Sequence, residues 1–360
     1  MSDKSSETST QTSAEILNEG KLAAYLSIHI EDFEGPLKAT KFTGGQSNPT
    51  YKIEAKSGDY VLRSQPLGKL LKSAHAVDRE YKVYQALAKT DVPVPKVYHL
   101  CEDRDVMGAM FYVMELCEGR IFWDAALPEL DSNEERTQAY EQMNNVLAAI
   151  HSVDIDTVGL SDYGKPGNYF ERQLSRWSAQ YKASEIKPIP AMDQLIEWLD
   201  NNIPEDDGRI SLVHGDFRLD NMMLSPNDSN IIAVLDWELS TLGHPFADLA
   251  YQCMQLRMPA SSGGKSGNMS GLAGVNRTAL GIPTEKEYVA SYCEKMGLEK
   301  IDNWAFYLAF SFFRLAAIAQ GVAKRALDGN ASNKNAMKVG AFVAPLAMAA
   351  LGVIKTESNL

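Results

Sequence analysis

Cysteine is scarce: Cys101, Cys117, Cys253 and Cys293 are the four among 360 residues, and none forms a C-x-x-C pair. That spacing excludes a zinc ribbon or a disulfide framework and reads as reduced thiols of a cytoplasmic protein. A basic excess is also missing. Lysine and arginine number 35 against 47 acidic residues, a formal net charge of -12, which argues against nucleic acid or an anionic membrane as partner. Uninterrupted apolar runs are short too: the longest, Val339 to Ile354, spans 16 residues and is broken by Gly340, Pro345 and Gly352. It is too short for a bilayer span and reads as a packed C-terminal helix. Residues 1–13 are polar and Ser/Thr-rich without the apolar core of a secretory signal, so a disordered tail is expected there. No internal repeat is visible.

What is present is enough apolar content, 45% over 360 residues, to exceed a single core, so two lobes are expected. Leu17 to Ile30 has near-helical apolar spacing. Thr50 to Ala55 and Tyr60 to Arg63 flank Ser57-Gly58-Asp59 as a hairpin. A helix from about Ala74 to Lys89 follows, then Pro93-Val94-Pro95 as a breaker, then strands near Lys96–Leu100 and Met110–Leu116. From Gly119 the pattern is mostly helical, with helices over Glu134–His151, Met192–Asn201, Phe246–Leu256 and the apolar Trp304–Leu327. Ser261 to Gly281 is Gly/Ser-rich and expected to be a mobile loop.

The most informative run is Leu212-Val213-His214-Gly215-Asp216-Phe217-Arg218-Leu219-Asp220-Asn221, followed by the apolar strand Ile231 to Leu235, which delivers Asp236. H-G-D-x-x-x-x-N plus a strand-borne Asp is the spacing of a phosphoryl-transfer site. Asp216 is the expected base toward an alcohol, and Asn221 and Asp236 are the hard oxygen ligands that Mg²⁺ prefers. An isolated Asp or Asn is usually a turn or cap residue, and His214 at a strand end reads as scaffold. The conjunction of two strands each ending in Asp favours the chemical reading.

Further parts fit this spacing. Gly44, Gly45, Gln46, Ser47 and Asn48 form a small-residue loop whose backbone N–H groups suit the phosphates of ATP, with GTP left open as donor. Arg63 ends the hairpin where a phosphate-binding cation is expected. Glu80 shares a helix face with Val77, Tyr84 and Leu87, where pairing with Arg63 would offset the cost of burying it. Met114, Glu115 and Cys117 lie on the strand and exit that would present backbone groups to adenine. Asp248 near a helix start is expected to support the catalytic loop, Glu238 to assist metal binding or bond backbone, and His151 to be structural. Together these specify an α+β, bilobal, protein-kinase-like fold. The small β-rich lobe covers residues 14–117 with one key helix, and the larger helical lobe covers 118–360.

With these residues assembled, the chain resembles the aminoglycoside phosphotransferase-like family. Within it, Phe42 to Tyr51, Tyr60 to Arg63, Asp78-Arg79-Glu80, Val92 to Pro95, Phe111 to Glu115, His214 to Asn221 and Leu235 to Glu238 are similar to the kinase-like domain of acyl-CoA dehydrogenases of the family-member 10/11 type. The resemblance implies ATP as donor and Mg²⁺ as cofactor. It also implies phosphorylation of the hydroxyl of a small molecule, a 4-hydroxyacyl-CoA thioester in this branch. Arg63 departs from the lysine usual in kinases.

The acceptor is argued from charge. Polycationic aminoglycosides call for an acidic surface, yet Pro259 to Pro283 contains no Asp or Glu, only Lys265 and Arg277. This suits an anionic acceptor such as a CoA ester. A choline-like alcohol, enclosed by Trp237, Tyr251, Trp304 and Tyr307, is one alternative. A nucleotide-binding pseudokinase scaffold is another, and a protein kinase is disfavoured because no Ala-Pro-Glu ending follows Asp236.

Overall fold

The computed structural model describes residues 17–42, 48–67, 75–260, 271–329 and 336–357. Gly44, Gly45, Gln46 and Ser47, the tail over 1–13 and residues 261–270 of the loop starting at Ser261 lie outside these residues. Two compact units result, one of Met1–Asp78 with Val97–Leu116, the other of Arg79–Lys96 with Cys117–Leu360.

In the first unit, helix α1 (Glu19–His29) starts at Asn18, whose side chain accepts the Lys21 N–H. An antiparallel sheet follows, built from β1 (Leu37–Lys41), β2 (Thr50–Ala55), β3 (Gly58–Ser64), β4 (Val97–Cys101) and β5 (Phe111–Glu115) in the order β1-β2-β3-β5-β4. The hairpin expected at Gly58 is present, with Ala55 opposite Gly58 and Thr50 opposite Arg63. Register then divides the side chains, because neighbours along a strand face opposite ways. Ile53 lies opposite Tyr60 and Leu62 opposite Val113, and these pack with Leu22 and Leu26 of α1 into one core. The other face carries Val61 opposite Met114 and Arg63 opposite Tyr112.

The unit boundary falls inside α2 (Val77–Leu87) after Asp78, so residues 79–96, expected with the small lobe, group with the second unit. Specific anchors account for this. Arg79 donates to the Tyr163 carbonyl at 2.9 Å and stacks 3.9 Å from the Tyr163 ring centroid. Lys82 pairs with Asp162 at 2.7 Å, and the Pro93 carbonyl accepts the Val234 N–H at 2.8 Å.

The second unit continues with α3 (Asn133–His151), α4 (Tyr169–Ala183), α5 (Pro190–Asn201), β6 (Ser211–Val213), β7 (Met222–Leu224), β8 (Ile231–Val234), β9 (Thr241–Gly243), α6 (Phe246–Arg257), α7 (Glu285–Lys295), α8 (Trp304–Leu327), α9 (Ala336–Val339) and α10 (Val343–Glu357). β6 pairs with β9 and β7 with β8, both antiparallel. α8 is long and apolar enough to cross a bilayer, but it is mostly buried against α4, α5, α6 and α10. It is the core helix of this unit.

Two helices escape the apolar-periodicity reading. α4 starts from Asn168 in the left-handed region without a side-chain cap, so the usual start signal is missing. α7 buries only Tyr288, Tyr292 and Cys293, and its available signal is the capping box of Thr284 with Glu287.

Candidate active site

β6 is a fully buried strand that leads into His214. The turn after it requires glycine at 215, where φ is +84° and a Cβ would lie 2.5 Å from the Leu239 carbonyl oxygen. Gly215→Ala is therefore expected to cost about 2 kcal/mol in stability and to displace Asp216. A drop in thermal midpoint accompanied by reduced turnover checks it. Unchanged values for both would contradict the turn argument.

Below the turn, the Asp248 carboxylate accepts the N–H of His214 at 2.6 Å and of Gly215 at 2.8 Å. Its second support is His151, whose Nε2 lies 3.5 Å away and whose Nδ1 meets the Tyr292 hydroxyl at 2.7 Å. Burial alone would raise the Asp248 pKa, but the His151 contact, the nearby histidines and the Gly215 N–H outweigh it, and the net direction is down. Asp248 thus holds the loop as a buried carboxylate. The two uses of His214 fix its tautomer. Its Nδ1 accepts the Asp216 N–H at 3.2 Å, so its Nε2 carries the proton and donates to the Leu235 carbonyl at 3.0 Å. His214 is scaffold, as read from sequence.

This framework places Asp216. Asn221 Nδ2 donates to the Asp216 carbonyl at 2.9 Å and to its Oδ2 at 3.1 Å, while Arg218 Nε lies 3.4 Å from Oδ1. Arg218 also binds Asp220 at 2.6 Å. Burial would lower the Arg218 pKa, but the Asp216 and Asp220 charges outweigh it and raise it. Burial likewise raises that of Asp220, partly opposed by Arg218. The Tyr251 hydroxyl interacts with the Asp216 carboxylate, and its pKa is pushed far up, first by burial and then by the Asp216 charge.

Asp236 reaches the same place along the neighbouring hairpin. Met222 pairs with Val234 and the Leu235 N–H donates to the Asn221 carbonyl at 2.8 Å, so the loop bearing Asn221 and the end of β8 are tied together. The charge of Asp236 is felt at both Arg218 and Asp220. Asp236 has φ +65°, rare for a residue with a side chain, and the next N–H, that of Trp237, donates to Glu80 at 3.3 Å. Glu80 is 1% exposed, so it is a buried carboxylate rather than a surface one.

Asp216, Asn221, Asp236 and Glu80 are therefore brought together within one unit. The remaining expected residues sit in their own elements. Arg63 ends β3 and Met114 and Glu115 end β5. Asn48 is buried, with its Oδ1 3.0 Å from His75 Nδ1. Cys117 precedes Gly119, whose close approach to Met223 and Leu224 fits the Arg120–Leu224 bridge. Sequence reasoning missed Arg218 and Asp220, and it offered Tyr251 only as an aromatic wall for a choline-like alcohol, not as a neighbour of Asp216. Arg218 and Asp220 lie inside the motif, and Tyr251 is three residues after Asp248 on α6, one turn along the same face.

Among the described residues no group of three or more His, Cys, Asp or Glu side chains forms a metal cluster. Mg²⁺ does not need one, since it keeps several waters and takes one or two carboxylates. Asn221 commits Nδ2 to Asp216, leaving the hard oxygen Oδ1 for a cation beside Asp236. This donor set fits Mg²⁺ and not a soft metal.

Comparison with known proteins identifies the family. A family model described as the phosphotransferase enzyme family matches residues 38–273. Acyl-CoA dehydrogenase family member 10 of Mus musculus is 49% identical over 313 residues, 87% of this chain and 29% of that protein. Family member 11 of Rattus norvegicus is 42% identical over 353 residues, 94% of this chain and 44% of the relative. The chain thus spans less than half the length of these relatives. A Ralstonia eutropha protein that its name assigns to the aminoglycoside phosphotransferases superposes with a TM-score of 0.85 at 47% identity, covering 94% of this chain and 98% of that one. At 14% identity and a TM-score of 0.60, a ternary complex of aminoglycoside phosphotransferase APH(4)-Ia with ADP and hygromycin B covers 94% and 99% and shares the fold. The chain belongs to the phosphotransferase enzyme family, with the α+β kinase-like fold of its aminoglycoside-phosphotransferase members.

Proposed function

We propose that the chain transfers the γ-phosphoryl group of ATP to the hydroxyl of a small molecule, most specifically a hydroxyacyl-CoA. The observation that carries this reading is the joining of Asp216, Asn221 and Asp236 in one unit, with Asn221 bonded to Asp216 at 3.1 Å and tied to the strand that bears Asp236. Asp216 accepts the proton of the acceptor hydroxyl as its oxygen bonds to phosphorus and ADP leaves. Asn221 and Arg218 hold the carboxylate in place for that transfer. Bound between Asn221 and Asp236, Mg²⁺ would supply charge neutralisation on the phosphates. Arg63 is the phosphate cation, Asn48 with Gly44, Gly45, Gln46 and Ser47 the nucleotide loop, and Met114, Glu115 and Cys117 the adenine contacts. Glu80 positions the segment after Asp236 through the Trp237 N–H.

Support for a CoA ester comes from the names of the 10 and 11 relatives and from the acid-free segment 259–283. The name of the Ralstonia eutropha protein favours an aminoglycoside instead, against which stand the arginine beside Asp216 and the acid-free segment. A screen of ADP release over 4-hydroxyacyl-CoA esters, free hydroxy acids, choline and aminoglycosides decides. Turnover of another alcohol with none of the CoA esters would overturn the finer assignment. Asp236→Ala is expected to raise the Mg²⁺ concentration needed for half-maximal turnover about tenfold or more, read from a Mg²⁺ titration. An unchanged titration curve would remove Asp236 from the metal site.

A further inference from the structure

Arg314 lies in the middle of α8, in the otherwise apolar run Phe312-Phe313-Arg314-Leu315-Ala316-Ala317. It is only 8% exposed. Among the described residues its guanidinium has no carboxylate or hydrogen-bond partner. Its neighbours are rings: its Cζ lies 5.6 Å from the Tyr251 ring centroid and 5.8 Å from that of Trp177 on α4. Two ring faces return part of the lost hydration but not the hydrogen bonds that five N–H donors require. A cation buried this deeply is normally paired, because desolvation penalises it heavily. Tyr251 connects it to the reaction centre, since its hydroxyl interacts with the Asp216 carboxylate while its ring lies against Arg314. On the near side, Arg218 adds a second guanidinium 3.4 Å from Asp216.

We propose that Arg314 is the anion-binding group of the acceptor site, so that the phosphorylated alcohol carries a carboxylate or phosphoryl group. The anion lies against Arg314 between Trp177 and Tyr251, and the hydroxyl of the same molecule is directed along Tyr251 to Asp216. Aromatic walls exclude water and strengthen the ion pair. The guanidinium fork suits planar carboxylate or phosphoryl oxygens. Polycationic acceptors are repelled by the same charge. The inference rests on the phosphotransferase reading only for the fate of the hydroxyl.

Calorimetric titration of the full chain with 4-hydroxybutyrate and glycerol 3-phosphate, against neutral 1,4-butanediol and glycerol and cationic choline, tests it. At least one anion is expected to bind about tenfold or more tighter than its neutral counterpart, the worth of one charge-assisted contact. Arg314→Gln should abolish that preference, and Arg314→Lys should restore part of it. Comparison of the two anions separates carboxylate from phosphoryl recognition. Arg314→Met should keep or raise the thermal midpoint, because an apolar side chain of similar length replaces an unpaired charge. Absence of anion binding by the native protein, or an undiminished preference in Arg314→Gln, overturns the proposal. A lowered midpoint in Arg314→Met that Arg314→Lys restores would assign the residue to the scaffold and overturn it as well. ADP release is measured in parallel. Anion binding through Arg314 with no ADP from any alcohol would sink the phosphotransferase reading and leave the anion site standing.

Discussion

Asp216→Asn is expected to lower kcat by about 10²–10⁴-fold, the range set by loss of a general base, while ATP affinity and thermal midpoint stay close to native. The reasoning is local. Asparagine keeps an oxygen for Asn221 Nδ2, which also holds the backbone carbonyl of residue 216 at 2.9 Å. Removing the negative charge does not strand Arg218, since Asp220 remains 2.6 Å from its Nη2. What is lost is the ability to take a proton. Nucleotide binding by fluorescence or calorimetry, beside ADP release with a turned-over alcohol, separates these contributions. A fall in ATP affinity equal to the fall in kcat would make Asp216 a binding residue. A collapse of the thermal midpoint would make it a structural one. The pseudokinase alternative has its own signature, which is Mg·ATP binding by the native chain without transfer to any alcohol.

Much of this site is legible in sequence because its determinants are short in range. Asp216 and Asn221 are five residues apart, and both strands that carry the loops are apolar runs ending in Asp. One turn and one hairpin then suffice to bring the side chains together, and both announce themselves through Gly215 and through the spacing of Asn221 to Asp236. The helix carrying Glu80 is legible for a related reason, since a carboxylate in an apolar stripe demands a partner. What the stripe does not disclose is that the partner includes the Trp237 N–H, 157 positions along the chain.

Long-range determinants are the illegible part. Arg314 sits in a run that reads as core, and only packing reveals that its neighbours are Trp177 and Tyr251 rather than a carboxylate. The sequence likewise does not announce that Tyr251 faces Asp216. Residues 79–96 follow the same rule. Their local pattern belongs to the small lobe, but Arg79, Lys82 and Pro93 find their partners at Tyr163, Asp162 and Val234. Helix α4 is hidden for a different reason, because its first turn starts from a left-handed asparagine without a capping bond.

Asp248→Asn is expected to destabilise the protein by about 3 kcal/mol at neutral pH, through loss of an ionised acceptor that serves two buried N–H groups. An amide of the same shape offers one acceptor oxygen and one NH₂. Whichever way it turns, either His214 N–H or Gly215 N–H faces a donor instead of an oxygen. The His151 contact changes partner chemistry as well. The turn that carries Asp216 should loosen with it, so turnover falls together with stability. The pH dependence distinguishes this from simple misfit. The folded-state pKa of Asp248 is below its ordinary value of 3.8, so its contribution is fully present above that value. It is lost as pH falls through the lower folded-state pKa. The stability gap between native protein and Asp248→Asn should therefore be constant from neutral pH down to about 4 and narrow below it. Urea denaturation of both proteins at stepped pH measures the gap. A gap that persists unchanged at the lowest pH would mean that shape, not charge, is what residue 248 supplies.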